Sequence, residues 1–272
     1  MPRNLYKVTG RGRAGAIFRQ GRSITIDYDR TGSRGQVTLS TRYLDRGFGV
    51  DVPGDFTAEV DGEAETADEA ASIWVTVARE LSAIVSVGCN AAIAPLNVEL
   101  AYEVTSGKTE REFLQRFYEA DEVCLSSRII RPDVISSFIS SVAFSRHRER
   151  LLRAIAQYNE ALLRWGLGNE LLVVAHSWMG IEALKKACLR HELEKTAVPK
   201  EELAKSWGFT AAGGYMEVDS FLDMQARQRL VFRGDLEIHR AAKQVSDGFE
   251  HGFEDAGTLI PLARRVMIVV AQ

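Results

Sequence analysis

Arg227, Arg229 and Arg233 stand close together ahead of His239, in Ala226-Arg-Gln-Arg-Leu-Val-Phe-Arg-Gly-Asp235 and the run that follows. A guanidinium is a permanently charged fork of donors suited to phosphate oxygens. An imidazole titrates near neutrality and can move a proton. Phosphate binding and proton transfer are therefore chemistries these residue types can do, and Arg233 and His239 stand six residues apart. Asp235 reads as the N-cap of the next helix, which places His239 a turn inside that helix and Arg233 outside it. The competing use is structural: the arginines pair with Asp223, Asp235 or Glu237 near a helix start. Glu182, set among Ile181, Ala183 and Leu184, is a carboxylate on an apolar run and calls for a cationic partner, for which these arginines are candidates.

Other constellations fail on detail. Val173-Val-Ala-His-Ser-Trp-Met-Gly180 has the outline of a hydrolase nucleophile elbow, but Ala175 and Met179 stand where its strained turn needs glycine. The apolar period also runs through Ser177 unbroken, which predicts a helix there and leaves His176 a helical histidine. No two of His147, His176, His191, His239 and His251 lie three or four apart, so no histidine pair is spaced for a metal on one helix face. Glu250, His251, Glu254 and Asp255 form a weaker cation candidate, outweighed by a solvated helix end. No metal and no cofactor is expected, since no Gly-rich phosphate loop follows a strand. Cys89, Cys124 and Cys188 are odd in number and without a CxxC pair, which speaks against a disulfide framework and for a reducing compartment.

The fold class expected is α+β: a small N-terminal sheet with one helix, then a helical bundle. Domains are expected at 1–105 and 109–272, with Thr105-Ser-Gly-Lys108 as the boundary. Strands are read at 16–18, 23–28, 36–41, 56–60 and 97–104 from β-branched alternation and glycine-rich turns. Thr66-Ala-Asp-Glu69 is a capping sequence that opens a helix through Trp74, Val77, Leu81 and Ile84. Pro132 suits the first turn of the next helix. Leu151, Ile155, Tyr158, Leu162 and Trp165 step along one face of another, which Gly166 and Gly168 end. A third is read from about Glu170 to Glu194, with Leu171, Val174, Trp178, Ile181 and Cys188 on its inner side, and a fourth from Asp235 to Phe253, after a polar connector around Pro199 and a break at Ala211-Ala-Gly-Gly214.

The C-terminal half resembles the HEPN superfamily, on three passages: Arg153-Ala-Ile-Ala-Gln-Tyr-Asn-Glu-Ala-Leu-Leu163, Ser177-Trp-Met-Gly-Ile-Glu-Ala-Leu-Lys185 and the stretch from Arg227 to Phe253. Within it the chain is similar to the larger prokaryotic proteins that carry such a domain behind an N-terminal α+β region. The resemblance implies a homodimer in which two Arg/His motifs face one RNA backbone. Arginine would steady the phosphate and histidine would help the ribose 2′-hydroxyl attack it, without metal. The resemblance so implies Arg233 and His239, six residues apart, as the candidate catalytic pair and Arg227, Arg229 and Arg233 as the candidate set for RNA phosphate. Here the pattern is disturbed. Aligning Leu230-Val-Phe-Arg-Gly-Asp235 with the family's apolar-His-Gly segment puts Arg233 in the histidine's place, and arginine cannot act as a base.

The net charge of −3 and pI near 6.0 exclude a globally basic nucleic-acid binder, though Arg3, Lys7, Arg11, Arg13, Arg19, Arg22, Arg30 and Arg34 crowd the first segment. That segment either attracts phosphate or is a strand surface balanced by the acidic stretch from Asp51 to Glu69, the second being favoured. No signal sequence and no apolar run of membrane-spanning length is read, so a cytoplasmic protein without membrane contact is expected. Three functions stay open. The first is an RNA-associated accessory, defence or stress protein with a degenerate nuclease site. The second is a non-catalytic dimerisation or protein-interaction module. The third is an active metal-independent endoribonuclease using Arg233 and His239.

Overall fold

The computed structural model describes residues 3–30, 33–47, 49–116, 123–124, 128–210, 217–251 and 254–270. The chain is mixed α+β, with a six-stranded antiparallel sheet and eight α-helices among the described residues. It divides into two compact units, Met1–Ala143 and Phe144–Gln272. The division falls later than the boundary expected at Thr105–Lys108.

The first unit contains β1 (Asn4–Gly12), β2 (Ser23–Arg30), β3 (Ser33–Asp45), β4 (Asp51–Ala64), α1 (Ala67–Cys89), β5 (Asn97–Glu103), β6 (Phe113–Gln115) and α2 (Pro132–Ala143). The sheet order is β2-β3-β4-β1-β5-β6. Alternation fixes which face is buried. In register, Val37, Val60, Val8 and Ala101 form one apolar row across four strands. Leu39, Ala58 and Gly10 form the next row, and its small members leave room for Trp74 of α1. Trp74 is fully buried and donates Nε1–H to Ala58 O at 3.0 Å. A side chain at Gly10 would lie 2.4 Å from both Asn97 O and the Trp74 ring, so the tryptophan dictates the glycine. Thr66 caps α1 as read: its Oγ1 accepts from Glu69 N at 3.1 Å, and Glu69 Oε2 accepts from Glu65 N at 2.7 Å.

The boundary moved for a physical reason. Thr105 to Lys108 is the turn that returns the chain from β5 to β6, and Lys108 there pairs with Glu103 at 2.6 Å. Helix α2 then packs on α1, where Ile135 occupies the space a side chain at Gly88 would need. Residues 16–18, read as a strand, make only an isolated bridge at Ile17, while β1 and β6 were not anticipated. Part of the basic first segment is engaged in ion pairs within this unit. Arg11, 7% exposed, meets Asp55 at 3.1 Å and Glu99 at 2.5 Å; Lys7 meets Glu59 at 2.5 Å and Arg3 meets Glu69 at 3.3 Å. Helix α1 is long and apolar enough to cross a bilayer, which corrects the expectation that no run reaches that length, but most of that stretch is buried inside the protein.

In the second unit every element among the described residues is helical: α3 (Arg148–Leu163), α4 (Glu170–Thr196), α5 (Lys200–Ser206), α6 (Val218–Ala226), a π-helical turn (Arg227–Val231), α7 (Leu236–His251) and α8 (Ala256–Val270). Helices α3 and α4 pack closely where Gly180 faces the Ala154 carbonyl. Val174 and Trp178 of α4 share a core with Ala241, Ala242 and Val245 of α7 and Ala263 and Val266 of α8. Buried Glu170 joins α4 to α8 by accepting from Arg264 at 2.9 Å. A smaller core joins Leu203 and Ala204 of α5 to Leu222 of α6. The expected bundle of four helices omitted α5, α6 and α8. The break read at Ala211–Gly214, and Phe253 at the end of the fourth helix, lie outside the described residues.

Candidate functional site

Helix α4 runs through Ser177 without interruption, and Ser177 Oγ donates back to Val173 O at 2.8 Å, one turn earlier. There is no elbow and no exposed hydroxyl. His176 Nδ1 lies 2.9 Å from Gln157 Oε1 of α3, so this side chain joins two helices. Burial pushes its imidazole below the ordinary value. At the weaker cation candidate, Glu250 accepts from Ser246, Glu254 from Gln244, and Asp255 from the backbone N–H and hydroxyl of Thr258 at the start of α8. Those carboxylates serve helix ends and side-chain bridges.

The arginines come from the π-helical turn and the bend after it. Phe232 N donates to Arg227 O at 2.9 Å, the five-residue step of a π-turn, and Gly234 N donates to Gln228 O at 2.8 Å. This wrap ends with Arg233 at φ 50° and Gly234 at φ 86°, both left-handed. Left-handed backbone is ordinary for glycine and strained for arginine. Asp235 is the N-cap as read: its Oδ1 accepts from Ile238 N at 3.0 Å.

From this frame the three arginines diverge. Arg227 Nη1 donates to Glu182 Oε1 at 2.6 Å, and its guanidinium lies 5.6 Å from the centre of the Trp178 ring. Glu182 thus meets one of the arginines expected of it. Its other oxygen takes buried Lys185 at 2.7 Å, which also reaches Asp223 at 3.4 Å. Arg229 is exposed, donates Nε–H to Gln225 Oε1 at 2.7 Å and Nη2–H to Trp207 O at 3.1 Å, and lies over the Trp207 ring at 5.8 Å. Two of the five guanidinium donors are so used, and the rest are held in a fixed orientation. Arg233 is exposed. Its expected partner Asp235 is occupied in capping, and Glu237 pairs with Arg265 at 2.5 Å.

His239 points the other way. It is 6% exposed, with its ring centre 5.2 Å from Phe232, edge to face, and 5.9 Å from Trp178. Neither ring nitrogen meets a hydrogen-bond partner among the described residues. Burial holds the imidazole below its ordinary value, and the nearby cations Arg227, Lys243 and Arg240 add to the effect. A neutral ring wedged between two aromatic side chains packs as an aromatic residue. A general base must come within hydrogen-bond reach of the proton it takes, and this ring is turned into the α4–α7 core while Arg233 stands in solvent. The structure therefore brings Arg227, Glu182 and Trp178 together, with His239 against Trp178, and leaves Arg229 and Arg233 facing outward. Sequence reading missed Trp178, Phe232 and Lys185 as the residues that hold the site. Trp178 was legible as an inner-face residue, but nothing local signals that it stacks on His239.

Comparison of the chain with protein-family models, with curated proteins and with solved structures gives no match.

Proposed function

We propose that this protein is an RNA-associated, HEPN-like accessory protein of prokaryotic defence or stress responses whose nuclease site is degenerate. It holds RNA phosphate and does not cut it. The placement of His239 carries the reading: the histidine that follows the arginines is buried against Trp178 and Phe232, with Arg227 committed to Glu182. Arg229 and Arg233 remain exposed with donors to offer, and two such forks suit the oxygens of a phosphodiester. The uninterrupted α4 packed on α3, α7 and α8 supports a HEPN-like bundle. Pairing of two copies is part of this reading, and the protein acts without metal or cofactor in the cytoplasm.

Incubation with single-stranded RNA in EDTA tests it. The expected result is retarded migration of intact RNA by the wild-type protein and by His239→Ala alike. Cleavage by the wild type that His239→Ala abolishes would instead establish the metal-independent endoribonuclease.

One observation favours a protein-interaction role as the second reading. Leu172 and Met179, two turns apart on α4, are 37% and 40% exposed, and Leu167 beside them in sequence is 87% exposed. An apolar stripe of this kind fits a second copy of the chain or a protein partner. A stable dimer that Leu172→Lys with Met179→Lys dissociates, in a protein with no RNA affinity, would favour this module over the RNA reading.

A further inference from the structure

We propose that the cleft between Arg19, Arg22, Arg131 and the apolar step Ile129–Pro132 binds a phosphorylated small molecule of nucleotide size. The cleft belongs to the first unit and does not rest on the function proposed above. Its volume is about 520 Å³, within the range of small-molecule sites.

The backbone assembles it. Ile17 N donates to Arg128 O at 2.9 Å and Ile130 N donates to Ile17 O at 2.7 Å, which fastens residues 128–130 beside the segment that leads to Arg19. Arg22 N then donates to Arg19 O at 2.9 Å, closing a four-residue turn with Gly21 at φ 70° in third place. A type II turn needs a left-handed residue there, and its closure holds the Cα atoms of its first and last residues within about 7 Å. Glycine at 21 thus sets two arginines at the two ends of one tight turn. Arg131 joins the lining from the segment so fastened, just ahead of the first turn of α2.

The charge is not balanced from within. Asp133 is the one carboxylate lining the cleft among the described residues, and Arg131 Nη2 donates to it at 2.8 Å. Arg19 and Arg22 meet no carboxylate among the described residues, and neighbouring Gln20 is turned to Asp51 at 2.7 Å. Two like charges on one turn repel, and an anion between them removes that cost. Guanidinium forks select phosphate oxygens, and a phosphate ester carries about two negative charges at neutral pH, which matches the surplus of two. Ile129, 44% exposed, and Pro132 give an apolar ledge for the rest of the molecule. A bare anion would leave that ledge unused. The basic side chains that composition singles out in the first segment are thereby divided: Lys7 and Arg11 pair across the sheet, Arg3 pairs with Glu69 of α1, and Arg19 and Arg22 are left for a ligand.

Calorimetric titration of the full chain with ADP, inorganic pyrophosphate and adenosine tests the assignment. The expected result is saturable ADP binding that pyrophosphate displaces, with ADP the tighter of the two and adenosine too weak to saturate. Arg19→Ala combined with Arg22→Ala should weaken ADP at least tenfold, and Arg229→Ala combined with Arg233→Ala should leave it unchanged. Gly21→Val should weaken it through the turn, whereas Gly21→Asn, which tolerates left-handed backbone, should retain most of it. Absence of saturable ADP binding at millimolar concentration would overturn the proposal, as would equal affinity in the Arg19/Arg22 variant. Oligoribonucleotide binding that needs Arg19 and Arg22 but resists displacement by ADP and pyrophosphate would overturn it too, by assigning the cleft to a polymer.

Discussion

Arg227 donates to Glu182 at 2.6 Å across 45 residues of sequence, and in doing so ties the π-helical turn to α4. The pair is one edge of a larger network, because Lys185 takes the other Glu182 oxygen at 2.7 Å and reaches Asp223 at 3.4 Å. Removing different members therefore has unequal effects. Arg227→Ala leaves Glu182 with Lys185, whereas Glu182→Ala strips both cations of their shared carboxylate. Since both side chains keep some solvent contact, the expected losses are about 1 kcal/mol for Arg227→Ala and about 2 kcal/mol for Glu182→Ala. Urea denaturation of both single variants and the double variant measures this. The double variant should lose less than the sum of the singles; strict additivity would mean that the contact carries no coupling.

His239 gives a pH dependence with a definite sign. Its folded-state value lies below its ordinary 6.5, so the unfolded chain takes up the proton first as pH falls. Stability is then level above pH 6.5 and declines below it until the folded ring protonates. His239→Phe keeps an aromatic ring against Trp178 and removes the titration. Its melting temperature should fall less steeply from pH 7.5 to 5 than that of the wild type. His176, also shifted down, titrates in both proteins and cancels in the comparison. Parallel melting curves would show that His239 is not the group responsible.

Arg233 combines an exposed side chain with a left-handed backbone at φ 50°. Strain of this kind costs about 1 kcal/mol. Arg233→Gly should therefore raise stability by about that amount while lowering affinity for RNA. Thermal unfolding and a filter-binding titration on the same variant read the two effects. Destabilisation by glycine would show that the arginine side chain contributes packing here.

Gly10 and Trp74 make a demand on the first unit. An alanine at 10 would place its Cβ 2.4 Å from the Trp74 ring and from Asn97 O. Gly10→Ala should cost about 3 kcal/mol, visible as an earlier denaturation midpoint and a changed Trp74 environment in near-ultraviolet dichroism. A variant of wild-type stability would mean that α1 sits further from the sheet.

Much of this architecture was legible along the chain. The cap at Thr66, the faces of α3 and α4, the Asp235 cap and the strand runs within β2 to β5 follow from local period and local hydrogen bonding. What escaped depends on partners distant in sequence. The buried Tyr6 and Val8 of β1 alternate with Lys7 and Thr9, but Gly10 and Gly12 weaken the strand signal until β4 and β5 pair on either side. Three-residue β6 exists only through β5. Helix α8 is disguised by Pro261 inside it, and short α5 and α6 are held by contacts such as Phe209 on Phe221. At the candidate site, the partner that Glu182 requires was readable from its apolar neighbours. The burial of His239 was not, because it needs Trp178 from one helix and Phe232 from the preceding turn to close over the ring.

The most direct test of the central claim is the salt dependence of RNA binding, comparing wild type with Arg229→Ala/Arg233→Ala. For single strands each phosphate contact contributes about 0.7 to the slope of log affinity against log salt, so losing two contacts should flatten it by about 1.4. The account predicts that flattening, weaker binding at low salt, and intact RNA throughout. An unchanged slope, or cleaved RNA in the wild-type reaction, would contradict it.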